Sequence, residues 1–178
     1  MVNMSYPANY IFIVIWIAMV ALSFVEGYVE GRNPWHHRKL GWKINLPGGY
    51  CYPAYHFFLF VIMLPCLISL PLLIFGWDLK LFGILLSAYS SGLVIEDFCY
   101  FIVNPAVRFK EFFTDFTDYY PWIKIGGKKI MPLGYPIGIS ISILSWLSLI
   151  NISEPTRRYA SSYDVFCLKK KYGGGGGG

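Results

Sequence analysis

The sequence predicts an all-α fold, a polytopic membrane helix bundle of about four transmembrane helices, with short β-hairpin-like segments in two cytoplasmic loops. Three observations predict it. Of the 178 residues, 56% are hydrophobic and 14% charged, with a mean hydropathy of +0.49; an ordinary soluble domain is about 45–50% apolar and about 25% charged. Apolar runs long enough to cross the hydrocarbon core recur along the chain. Basic residues concentrate in alternate loops. This balance excludes a disordered chain, a nucleic-acid-binding arm and a typical soluble enzyme, so the expected partners are the lipid bilayer and further membrane subunits in a homo- or hetero-oligomer, with no nucleic acid.

The four spans are read at residues 10–30, 53–75, 79–103 and from 132 through 146, together forming one transmembrane domain over residues 1–146. The first has an uninterrupted apolar core from Tyr10 to Leu22. No Lys or Arg precedes Arg32 and no small-residue cleavage site follows, so it reads as a retained helix rather than a signal peptide. Gly76-Trp77-Asp78 makes a tight turn that sets spans two and three antiparallel. Pro65 and Pro71 are expected to kink span two. Gly83, Ser87, Ser90 and Ser91 on span three, and Gly134, Gly138 and Ser142 on span four, offer small faces for close helix packing. In the loops, Trp42 to Leu46 before Pro47-Gly48-Gly49, and Trp122 to Ile125 before Gly126-Gly127, alternate as short hairpins do. Each half runs helix, Asn-Pro, Trp-Lys-Ile strand and helix, which suggests a parallel tandem repeat.

Orientation follows from charge. Arg32, Arg38, Lys39 and Lys43 follow span one; Arg108, Lys110, Lys124, Lys128 and Lys129 follow span three; Lys80 stands alone on the other side. Both long loops are therefore expected in the cytoplasm, with the N-terminus outside the plasma membrane. Tyr6, Tyr10, Trp35, Trp77, Tyr119 and Trp122 read as interfacial anchors.

The chemistry-bearing residues gather at one end. Glu26 and Glu30, four apart on one helical face, close span one. His56 opens span two. Glu96 and Asp97 lie near the end of span three, with Asn104 two turns on, and Tyr135 opens span four. Alternating threading puts all of them at similar depth on the basic-loop side, where His36 and His37 also hang. Intramembrane charges are expensive and usually face the bundle. Adjacent residues on a helix diverge by about 100°, so Glu96 and Asp97 point differently, and the spacing does not say which faces the bundle.

Three readings compete. Glu26, Glu30, Glu96 and His56 could hold a divalent metal, as carboxylates and His do in metal-binding bundles, although the Glu-x-x-His spacing of the di-iron class is absent. That would suit a metal-dependent intramembrane enzyme acting on a lipid. The acids could instead handle a proton, a cation or a polar head group. Or they form interfacial salt bridges in a structural subunit, Glu26 or Glu30 pairing with Arg32, Arg38 or Arg108 while His56 bonds locally. Cys51, Cys66 and Cys99 have no metal or redox spacing, and no nucleotide loop, nucleophile elbow or His-Glu-x-x-His motif occurs.

Two resemblances add to this. The pattern Glu26-Gly-x-x-Glu30-Gly-Arg, then Tyr55-His56, then Glu96-Asp97-Phe98-x-x-Phe101-x-x-Asn104-Pro105 resembles small uncharacterised prokaryotic membrane proteins over much of residues 20–136, and implies no activity or cofactor. Residues 147–178 resemble a translated sequencing adapter. A common transposase-library adapter encodes L-S-L-I-H-I-S-E-P-T-R, matched from Leu147 to Arg157 except for Asn151, and a flow-cell primer encodes I-S-Y-A-V-F-C-L, close to Ser161–Leu168. Lys169–Lys171 and the six terminal glycines then read as trailing base calls. On this reading the natural frame is cut inside span four. The Asn151-Ile152-Ser153 sequon and the lysine cluster carry no function, and Cys167 drops out. Leaving out Arg157, Arg158, Lys169, Lys170, Lys171, Glu154 and Asp164 lowers the net charge from +5 to +2.

Overall fold

The computed structural model describes residues 8–32 and 40–148; His36, His37, Arg38, Lys39 and most of the adapter-like segment lie outside them. The described chain is mostly helical. Helix α1 (Ala8–Glu30) leads to a hairpin of β1 (Lys43–Leu46) and β2 (Tyr50–Pro53). Helix α2 (Ala54–Phe75) follows directly, and α3 (Leu79–Val103) follows a three-residue turn. Two short 3-10 turns, Phe109–Phe113 and Asp115–Thr117, precede a second hairpin of β3 (Trp122–Ile125) and β4 (Lys128–Pro132). Helix α4 takes residues 134–148, at the edge of the described residues. Among these elements, α1, α2 and α3 are long and apolar enough to cross a bilayer. Both halves thus run helix, hairpin, helix, with the 3-10 turns inserted in the second.

Local chemistry explains the boundaries. Asp78 caps α3, its carboxylate accepting from the Leu81 N–H at 2.6 Å. Pro53 and Pro132 each close a strand rather than starting a helix, pairing with Lys43 and Trp122. Gly126 and Gly127 both have positive φ, the geometry of a tight two-residue hairpin turn. A register shift between Ile123 and Lys124 bulges the second hairpin.

Helix α2 departs from regular geometry. Residues Phe57–Met63 are π-helical, and the Leu64 N–H bonds back to the Leu59 carbonyl. The next bond in that register would run from residue 65 to the Phe60 carbonyl, but residue 65 is proline and has no N–H. The Tyr89 hydroxyl on α3 donates to that Phe60 carbonyl instead. A side chain from the neighbour thus satisfies the acceptor that the proline orphans.

Helix α3 is the central element. Half of its most apolar stretch is buried, against 11% for α1 and 6% for α2. It packs chiefly on α1, around Ile15, Met19, Leu81, Leu85 and Ala88, with Leu72 of α2. Gly92 lets the two helices meet, since a Cβ there would lie 2.9 Å from Met19 Cγ. On the α4 side, a Cβ on Gly138 would lie 2.8 Å from Val94 Cγ2. Ser87 Oγ donates to the Ser142 carbonyl at 2.8 Å and Ser142 Oγ to the Ser87 carbonyl at 2.9 Å. Small residues and reciprocal hydroxyl bonds are the means by which apolar helices associate without a hydrophobic drive.

A second, aromatic core closes the loop end, built from Tyr100, Phe101, Val107, Phe112 and Tyr120. Thr117 holds it, donating to the Phe112 carbonyl at 2.8 Å while its own carbonyl accepts from Trp122 Nε1 at 2.9 Å. Lys129 donates to the Thr114 carbonyl and pairs with Asp118 at 2.9 Å.

Candidate functional site

Glu26 and Glu30 leave α1 one turn apart and turn inward, 6% and 7% exposed. His56 meets them from the first turn of α2, also 7% exposed, because hairpin β1–β2 delivers the chain to Pro53 and straight into the helix. His56 Nε2 lies 3.6 Å from Glu30 Oε1. The imidazole is held between rings, stacked on Phe60 at 5.5 Å and tilted against Tyr55 at 4.3 Å. Glu26, Glu30 and His56 can each offer one ligand atom such that all three lie within 4.8 Å of one another.

Glu96 and Asp97 diverge as adjacent helical residues must. Glu96, 4% exposed, faces α1 and lies beside the Glu26 side chain. Asp97 faces α4, where Tyr135 donates to its Oδ2 at 2.7 Å. Oε1 of Glu26 and Oε1 of Glu96 are buried and accept no hydrogen bond.

These groups line one cavity of about 480 Å³, within the ~300–1,000 Å³ range of small-molecule sites. Its wall carries four acids, Glu26, Glu30, Glu96 and Asp97, one imidazole, and the phenols of Tyr52, Tyr100, Tyr119, Tyr120 and Tyr135. Among the described residues lining it there is no Lys or Arg. Burial, and then the charge of Glu26, pushes the Tyr52 phenol up to about 12. Burial likewise raises Tyr119 and Tyr120, each with a further contribution from Asp97. These phenols therefore stay protonated and present O–H donors.

Asn104 is buried beside the cluster but is spent on the backbone. Its amide donates to the Gly31 carbonyl at 2.9 Å, its own carbonyl accepts from the Ala106 N–H at 2.8 Å, and Tyr100 Oη also donates to Gly31. It pins the end of α1 and so sets the position of Glu26 and Glu30. Arg32, next to the cluster in sequence, turns away: it pairs with Glu111 at 3.1 Å, donates to the Ala106 carbonyl and lies over the Phe116 ring. Arg38 lies outside the described residues. Cys51, Cys66 and Cys99 are free thiols.

The tyrosine wall is what sequence reasoning did not assemble. Tyr119 reads equally as an interfacial anchor, and nothing in the spacing of Tyr52, Tyr100, Tyr119 and Tyr120 brings them together. Comparison with protein-family models, with curated proteins and with solved structures finds no match for this chain.

Proposed function

We propose that this chain is an integral membrane protein, N-terminus outside, that binds a cation in an acidic cavity at the cytoplasmic ends of its helices. The observation that carries this is the convergence of Glu26, Glu30 and His56 within 4.8 Å, with Glu96 beside Glu26. Two carboxylates and an imidazole are a donor set for a divalent ion of the Mn²⁺, Fe²⁺ or Zn²⁺ kind, and three protein ligands leave coordination positions open. Arg32, a basic residue close to the cluster in sequence, is engaged with Glu111 rather than with Glu26 or Glu30.

A second reading is favoured by size. A cavity of about 480 Å³ exceeds what one ion occupies, so a metal-dependent step on a lipid head group fits the same site. The test is elemental analysis of the purified full chain after equilibration with Mn²⁺ or Zn²⁺. One equivalent of metal is expected, lost in Glu30→Ala and in His56→Ala. Metal-free protein whose variants change stability alone would leave the salt-bridge reading in place.

A further inference from the structure

A second cavity, about 510 Å³, lies between the same three helices toward their other ends. It is apolar, lined on α1 by Ile11, Ile15 and Met19, on α2 by Leu64 and Ile68, and on α3 by Leu85. The two cavities follow each other along the helix axes. Phe60 of the acidic cavity and Leu64 of the apolar one are one turn apart on α2, about 6 Å. Glu30 and Tyr10, at the far ends on α1, are about 30 Å apart along the helix, comparable with the ~30 Å hydrocarbon core. On α3, Leu81 and Leu85 line the apolar cavity and Leu93, Glu96 and Tyr100 the acidic one, all recurring at helical spacing.

We propose that the two cavities are the head and tail subsites of one binding site for a long-chain amphiphile with an ammonium head group. This rests on the reading of the acidic cavity as a binding site, and not on the metal. The head chemistry follows from the lining. Four acids with no Lys or Arg among the described lining residues repel a bare phosphate. Glu26 and Glu96 each hold a buried oxygen that accepts no hydrogen bond. Tyrosine rings and carboxylates together are the surroundings that stabilise a desolvated ammonium. The tail chemistry follows from placement. On α2 the apolar lining begins at Leu64, one turn beyond Phe60 of the acidic cavity, so the chain of a head group held beside Glu96 has an apolar groove next to it along the helix axes.

The test uses the full chain in dodecyl maltoside micelles and labelled hexadecylamine, with hexadecanol and hexadecyl phosphate as competitors. Saturable one-to-one binding of the amine is expected, displaced by neither competitor. Glu96→Gln should weaken it at least about tenfold, as neutralising one partner of a buried charged contact does. Ile68→Trp and, on the neighbouring helix, Ala18→Phe fill the tail groove and should weaken it similarly with unchanged thermal unfolding. Metal content is read on the same samples, so loss of the metal reading with retained amine binding leaves this proposal standing. It is overturned if hexadecyl phosphate or hexadecanol binds as well as the amine. It is equally overturned if both groove-filling variants bind the amine like the parent chain, which would make the groove a seat for ordinary lipid.

Discussion

The Phe60 carbonyl offers a quantitative test of how α2 is held. Its only available backbone donor in the π register is blocked by Pro65, and Tyr89 supplies the hydrogen bond from α3. Tyr89→Phe removes one hydroxyl and leaves a helix-interior carbonyl without a donor. An unsatisfied buried polar group costs about 1–3 kcal/mol in water-soluble proteins, while interhelical bonds in membranes average about 0.6 and reach about 1.7 kcal/mol. A loss of about 1–1.5 kcal/mol is expected. Pro65→Ala restores an N–H at position 65. In that background the backbone can satisfy Phe60 itself, and Tyr89→Phe should cost less than about 0.5 kcal/mol. The coupling, near 1 kcal/mol, lies in the range of residues that share a partner. Reversible unfolding in mixed micelles, followed by helical circular dichroism for all four proteins, measures it. Additivity within about 0.3 kcal/mol would refute the claim that the proline creates the vacancy that the tyrosine fills.

Three further outcomes follow from the geometry. Titration of the phenols, taken as the difference between the parent chain and Tyr52→Phe, should place Tyr52 at about 12, and Glu26→Gln should bring it down toward 10 without reaching it, because burial is the larger cause. Gly138→Ala puts a methyl 2.8 Å from Val94 Cγ2; overpacking of this kind costs about 1–3 kcal/mol, and disulfide trapping between cysteines placed at positions 87 and 142 should slow as α4 is pushed from α3. Asp118 is held below the usual carboxylate range, chiefly by its hydrogen bond from Lys129. A depressed folded pKa means the contribution is present above about pH 4 and is lost as pH falls through the lowered value. Amide exchange in residues 114–132 should therefore quicken on acidification below pH 4, and Lys129→Met should abolish that step. The effect is small, since the Asp118 side chain is 48% exposed.

Much of the arrangement is legible from residue order because depth is a one-dimensional quantity. Apolar run lengths place the three long helices to within a few residues, and the glycine pairs place both hairpins. Threading then carries Glu26, Glu30, His56, Glu96 and Asp97 to one layer. The π segment is different. Pro65 announces a missing donor, but whether the chain kinks, frays or widens depends on Tyr89 being in reach. Arg32 is a similar case: sequence proximity suggests Glu30, whereas the 3-10 turns bring Glu111 to it at 3.1 Å.

The residue pattern alone settles composition, helix length and the level at which each polar group sits, since hydrophobic run length and connectivity need no knowledge of neighbours. Rotation about each helix axis is another matter. That Glu96 turns to Glu26 while Asp97 turns to Tyr135, and that five phenols close around them, is decided by which faces pack: Gly92 admits α1, Gly138 admits α4, and those two contacts fix the angle from which everything on α3 points.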